Sequence, residues 1–205
     1  MLDGLARRLI GPGLDRLGGA LARSGISADS VTLAGFALGL AAAGLIAFQQ
    51  YGAGLALILA SRLCDGLDGA VARHTQKTDR GGYLDIVLDF AFYGAVPLAF
   101  VLARPEANAV AGAVLLASFY LNGSSFLAFA IMAEKRGISP DASSAARGAK
   151  SLYFTTGLAE ATETIAAFCL FCLFPDAFPA LAYVFAAVCF ITATARITLA
   201  MRAFR

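Results

Sequence analysis

Apolar residues are not spread evenly along this chain; they gather into runs separated by short polar stretches. Six runs stand out, at about residues 31–48, 52–72, 82–103, 107–133, 151–174 and 178–201. A helix needs roughly 20 apolar residues to cross a bilayer, and each run is close to or beyond that length. The first holds no charged residue. The pattern predicts an all-α integral membrane protein with six transmembrane helices. The competing reading, a very apolar soluble helical protein, leaves six such runs to be buried without lipid.

A different periodicity precedes the first run. Leu2, Leu5, Leu9, Ile10, Leu14, Leu17 and Leu21 recur at helical spacing, with Arg7, Arg8 and Arg16 among them. This predicts an amphipathic helix lying on the membrane surface. Gly11-Pro12-Gly13 is expected to break it into two pieces. The stretch lacks the continuous apolar core and cleavage site of a secretory signal. The chain therefore reads as one domain over residues 1–205: an amphipathic juxtamembrane segment at 1–25, then a six-helix bundle at 26–205.

Composition agrees with this picture. The chain is 59% hydrophobic and 15% charged, where soluble domains carry about 25% charged residues. The distribution of Lys and Arg sets the orientation. Arg7, Arg8, Arg16 and Arg23 precede the first run; Arg73, Lys77 and Arg80 follow the second; Lys135, Arg136, Arg147 and Lys150 follow the fourth; Arg202 and Arg205 follow the sixth. The other loops carry only Arg104. Both termini are thus expected on the cytoplasmic side, where anionic lipid favours basic residues. The net charge of +2 says little about partners, and no nucleic acid is expected among them.

Against this background the stretch CDGLDGAVARHTQKTDRGGYLDIVLDF stands apart. Asp65, Asp68, Asp85 and Asp89 lie in or beside apolar runs. Intramembrane charges are costly and usually face a polar cavity. Asp65 and Asp68 fall near the cytoplasmic end of the second run, and Asp85 and Asp89 near the start of the third. Spacings of three and four residues put each pair on one helix face. The loop at 74–80 is short, so the two helices are expected to be neighbours with all four carboxylates at a similar depth. Converging carboxylates repel one another. A divalent cation such as Mg²⁺ or Mn²⁺, which takes oxygen ligands together with substrate phosphates, resolves the repulsion. Four carboxylates are enough for two ions, an arrangement able to clamp the attacking and leaving oxygens of a phosphoryl displacement. Gly66 and Gly69 would let a ligand come close to the backbone, and Arg73 could contact a phosphate with two hydrogen bonds.

Asp65, Gly66, Asp68, Gly69, Ala72, Arg73, Gly81, Asp85 and Asp89 form the pattern D-G-x-D-G-x2-A-R-x7-G-x3-D-x3-D. It resembles the signature of the CDP-alcohol phosphotransferase family, and the expected spans, cytoplasmic termini and surface helix extend the likeness over nearly the whole chain. The resemblance implies transfer of a substituted phosphate from a CDP-linked donor, commonly CDP-diacylglycerol, to an alcohol with release of CMP. It implies that Asp65, Asp68 and Asp85 are metal ligands. Asp89 would also touch metal and act as the base, deprotonating the acceptor hydroxyl as it attacks the donor's β-phosphorus. Gly69 and Arg73 would contact the cytidine diphosphate. It further implies a homodimer in the cell's inner membrane with a cytoplasm-facing site. A weaker likeness lies in GISADSVT, where Asp29 and Thr32 match an element that would border the nucleotide and Ala28 replaces its usual proline. The bland alternative there is a helix cap by Ser27 or Asp29.

The acceptor is not legible. Glu160 and Glu163 in the fifth run could bind a polyol or a cationic head group, or could pair with Arg62 or Arg196, which also sit inside runs. Lys135 and its loop neighbours could bind a phosphorylated acceptor, yet any cytoplasmic loop carries such residues. Asn122, Ser124 and Ser125 read as glue between helices, as does the Gly35–Gly39 spacing. Cys169 and Cys172 lie in an apolar helix without a nearby histidine and read as small buried hydrophobes. Three further functions compete. An ion or proton carrier would want its carboxylates nearer the midplane; a metal-independent lipid phosphatase would want more than His74; an inactive scaffold would not need all four aspartates.

Overall fold

The structure, a computed structural model, describes residues 2–137, 159 and 161–204. Its elements are all helical: α1 (Leu2–Arg23), α2 (Ala28–Ala47), α3 (Tyr51–His74), α4 (Asp79–Ala103), α5 (Pro105–Lys135), α6 (Ala161–Leu173) and α7 (Phe178–Ala203), with a 3₁₀ turn at Pro175–Ala177 before α7. Four segments are long and apolar enough to cross a bilayer: Ala28–Ala47, Asp79–Ala103, Pro105–Lys135 and Pro175–Ala203. The two other expected runs fall outside that group for separate reasons. Helix α3 has 24 residues, but from its middle onwards it carries Arg62, Asp65, Asp68 and Arg73. Helix α6 is described over 13 residues, and residues 151–158 of the fifth run lie outside the described residues.

Helix α1 departs from expectation. It runs unbroken from Leu2 to Arg23 with Pro12 inside it. A proline removes one hydrogen bond and crowds the preceding turn, which bends a helix without ending it when the flanking turns keep their bonds. The second half of α1 presses on α3. A Cβ on Gly18 would lie 2.5 Å from the Ala70 Cβ, and one on Gly66 would lie 2.8 Å from Leu14. The surface helix is thus docked on the half of α3 that carries the acids.

Helix α2 opens on Ser27, whose hydroxyl accepts from the Ser30 N–H at 3.2 Å. This is the capping role expected of an N-cap serine. Two of its three glycines, Gly35 and Gly39, are packing devices within the chain. A Cβ on Gly35 would meet Cys64 at 2.8 Å, and one on Gly39 would meet the Phe92 ring at 2.6 Å. Small residues let helix backbones come this close in lipid, and here the approach lets the Ser61 hydroxyl donate to the Gly35 carbonyl at 2.7 Å. Between α4 and α5, the buried Asn108 donates to the Phe100 carbonyl at 2.7 Å.

The large apolar side chains pack at the other end of the bundle. Phe100 stacks on Phe178 with centroids 4.8 Å apart, on Tyr51 at 5.7 Å, and meets Phe171 edge-on at 5.8 Å. These residues come from the start of α3, the second half of α4, the end of α6 and the start of α7. The acids sit in the second half of α3 and the first half of α4. Aromatic packing therefore anchors one end of the helices and leaves the other free to be polar.

Candidate functional site

The reversal between α3 and α4 builds the site. Thr78 caps α4, its hydroxyl accepting from the Gly81 N–H at 3.0 Å, so α4 starts within a few residues of the end of α3. The turn brings the two acidic pairs face to face. Asp65, Asp85 and Asp89 each offer a carboxylate oxygen, and the three oxygens lie within 4.8 Å of one another. Asp68 stands slightly aside. It is 7% exposed, and the Thr32 hydroxyl donates to its Oδ2 at 2.7 Å. All four aspartates, with Thr32, Ser61 and Arg62, line one small cavity.

The donor set suits a hard divalent cation. It is all oxygen, it lies in the halves of α3 and α4 that flank the reversal at 74–80, and one member, Asp85, is exposed. Mg²⁺ and Mn²⁺ take such a set. Three carboxylates at this spacing could hold one ion directly, and Asp68 lines the same cavity.

The residues expected to meet a nucleotide donor surround the open side. A Cβ on Gly69 would meet only the end of the Arg73 side chain, at 3.8 Å, so the backbone there is accessible. Arg73 lies one turn further along the same face. Its guanidinium donates to Asp15 Oδ1 at 3.3 and 3.4 Å, an exposed pair that a phosphate can replace. Gly66 differs from expectation in what it touches: it faces Leu14 of α1. Asp29 pairs with Arg80 at 3.4 Å, and Thr32 reaches the site through Asp68.

A larger cavity of about 720 Å³ adjoins the acids. Asp85 and Asp89 form part of its wall, with Tyr93, Phe119, Asn122 and Arg196 among the rest. Its size falls in the range typical of small-molecule sites, about 300–1,000 Å³. Arg196 is the expected acceptor-side residue that the structure brings there. One of its terminal nitrogens donates to the Asn122 carbonyl, the Asn122 side chain and Ser125, each at 2.9 Å, which makes Asn122 and Ser125 the helix-to-helix polar links expected of them. Glu163 lies in the first turn of α6. Lys135 is exposed at the end of α5 and is not among the described residues lining the cavity. Glu160 lies outside the described residues.

Arg62 is the residue whose place the sequence reading missed. The sequence offers it as a partner for an intramembrane glutamate; it turns instead to the acids, donating to Asp89 at 2.7 Å and to Asp65 at 3.2 Å. The available signal was its position three residues before Asp65, one helical turn away on the same face. The Asp15 contact to Arg73 had no such signal, because it joins residues 58 apart.

Comparison with known proteins agrees with this geometry. The sequence model of the CDP-alcohol phosphatidyltransferase family matches residues 26–195. The chain is 47% identical over 197 residues to the Escherichia coli K12 inner membrane protein YnjF, covering 96% of this chain and 94% of that one. It is 42% identical over 84 residues to archaetidylinositol phosphate synthase of Methanothermobacter thermautotrophicus, covering 40% of each. Among solved structures, Mycobacterium tuberculosis phosphatidylinositol phosphate synthase PgsA1 with CDP-DAG bound superposes with a TM-score of 0.70 at 21% identity, covering 91% of this chain and 92% of that one. The same synthase in complex with manganese and citrate gives a TM-score of 0.69 at 22% identity, covering 92% and 88%. The fold is shared with that synthase, and the apolar helices together with the inner-membrane relative identify a membrane-integral protein.

Proposed function

From the premise that the chain belongs to the CDP-alcohol phosphatidyltransferase family, we propose that it transfers a phosphatidyl group from CDP-diacylglycerol to an alcohol in phospholipid synthesis. The observation that carries the reading is the convergence of Asp65, Asp85 and Asp89 within 4.8 Å, with Asp68 beside them. In this reading the acceptor hydroxyl attacks the donor's β-phosphorus. The bond from that phosphorus to the bridging oxygen breaks, and CMP leaves with the electron pair. The hydroxyl proton passes to the Asp89 carboxylate, which opens on both cavities and can reach an acceptor lodged in the larger one. Asp65, Asp68, Asp85 and Asp89 would hold Mg²⁺ or Mn²⁺, two ions at full occupancy. Bound cations supply charge neutralisation for the diphosphate and its leaving oxygen. Gly69 and Arg73 would border the donor diphosphate, with Asp29 and Thr32 towards the nucleotide.

The acceptor side is assigned to the larger cavity, with Arg196 as its fixed cation; Glu163 and Lys135 are not among its described lining residues, and Glu160 lies outside the described residues. The reading includes six spans, a single domain over 1–205, both termini and the active site on the cytoplasmic face of the inner membrane, and a homodimer. A carrier is less well supported: the acids lie in the halves of α3 and α4 that flank the reversal at 74–80, whereas transport sites favour the midplane.

CMP release from CDP-diacylglycerol by purified protein, with Mg²⁺ or Mn²⁺ and a panel of alcohols, tests the reading. Metal-dependent release with one acceptor is the expected result. Folded protein that releases no CMP with any acceptor would reject this donor. Arg73→Ala is expected to raise the donor KM or lower kcat through the lost phosphate contact.

A further inference from the structure

Arg62 enters α3 from its apolar side and ends inside the acid cluster. Four contacts fix its guanidinium. One terminal nitrogen donates to Asp89 Oδ1 at 2.7 Å and to Asp65 Oδ1 at 3.2 Å. The other donates to Ser61 Oγ at 3.2 Å. The guanidinium carbon stands 4.2 Å from the centre of the Phe92 ring. The supports are themselves pinned, since the Ser61 hydroxyl is bound to the Gly35 carbonyl and Phe92 is fully buried against Gly39. The guanidinium thus transmits the packing of α2, α3 and α4 to two carboxylates on different helices.

Arginine suits this task and lysine does not. Its planar fork donates in several fixed directions while its face stacks on a ring. An ammonium cannot hold Asp65, Asp89 and Ser61 and stack on Phe92 at once. A carboxylate held through one oxygen has its second oxygen aimed by the same contact. Partners that orient ligating groups in this way commonly alter metal affinity or activity by about 10–100-fold when removed.

We infer that Arg62 is a positioning residue of the acid cluster: it holds Asp65 and Asp89 by one oxygen each and so sets how both carboxylates face a divalent cation and an acceptor hydroxyl. The inference rests on the functional reading above.

The test compares wild type, R62K and R62M in detergent. Mn²⁺ binding without donor is measured from the electron paramagnetic resonance signal of free Mn²⁺, and steady-state kinetics and thermal unfolding are measured alongside. Both variants are expected to bind Mn²⁺ about 10-fold more weakly or worse. Both should lose about 10–100-fold in kcat, with the donor KM changed by less than about 2-fold because the donor contacts are untouched. R62K keeps the positive charge, so it reports even if R62M fails to fold. Tighter Mn²⁺ binding by R62M would overturn the inference and make Arg62 a cation that the metal displaces. Wild-type behaviour of R62K would also overturn it, because charge alone would then suffice. D65N separates this inference from the functional reading. Mn²⁺ binding that D65N weakens and R62K does not would sink the Arg62 assignment alone. Mn²⁺ binding absent from wild type would sink both.

Discussion

At the scale of single residues, the site separates chemistry from support. Asp85 and Asp89 both border the two cavities, and of this pair we propose Asp89 as the base that meets the acceptor. Replacing it with asparagine keeps the shape and the Arg62 contact while removing the base. A positioned general base contributes about 10²–10⁴-fold, so D89N is expected to lose CMP release by at least the lower figure while its melting curve stays near that of wild type. Near wild-type turnover would remove Asp89 from the role. Thr32 is support. Its hydroxyl donates to a carboxylate that is 7% exposed, and losing a hydrogen bond to a charged group costs about 1.5–3 kcal/mol. T32V is expected to lower thermal stability by that order and T32S to restore it; a T32V protein that melts with wild type would show that Asp68 finds another donor.

The helices show how small residues place the acids. Gly39 and Gly44 share α2, but their surroundings differ. A Cβ at 39 meets the Phe92 ring at 2.6 Å, and one at 44 meets nothing within 4 Å. Overpacking costs about 1–3 kcal/mol, while an unobstructed glycine-to-alanine change within a helix gains about 0.5–1 kcal/mol. G39A is therefore expected to lower the melting temperature and G44A to raise or preserve it. Equal effects would mean that the α2–α4 contact relaxes freely. Because Phe92 also stacks under Arg62, G39A should reduce CMP release more than its loss of stability alone would. The Gly35–Gly39 spacing in the sequence announces a close helix contact, yet its partner is visible only in the fold, since the residues it meets, Cys64 and Phe92, lie far along the chain.

Across the whole molecule, function and anchoring occupy opposite ends. Arg104 and Asp176 form an ion pair beside the aromatic end, with side chains 43% and 89% exposed. Exposed pairs contribute about 0–1 kcal/mol. R104A is expected to leave metal-dependent CMP release unchanged and to lower stability by no more than that. A marked loss of turnover would show that the two ends are coupled. The same separation accounts for the shortfall of α3 as a bilayer-crossing segment. Its first eleven residues are uncharged and begin with Tyr51 stacked on Phe100, while the charges that make the site start at Arg62.

What the sequence determined by itself was local and periodic. The apolar runs marked helices because a lipid-exposed backbone must satisfy its own hydrogen bonds. The carboxylate spacings of three and four residues placed each acidic pair on one helix face, and the short loop at 74–80 brought those faces together. The family pattern was equally legible, since its positions lie within 25 residues of one another along the chain, from Asp65 to Asp89. The continuity of α1 through Pro12 was misread, because one missing hydrogen bond says nothing of the turns on either side. Only the tertiary structure decided the remaining partners: Thr32 on Asp68, Asp15 on Arg73, Arg196 on Asn122, and Arg62 turned to the aspartates. A side chain's partner depends on which helices adjoin and how they are rotated, and in this bundle close packing at Gly18, Gly35 and Gly39 sets that arrangement.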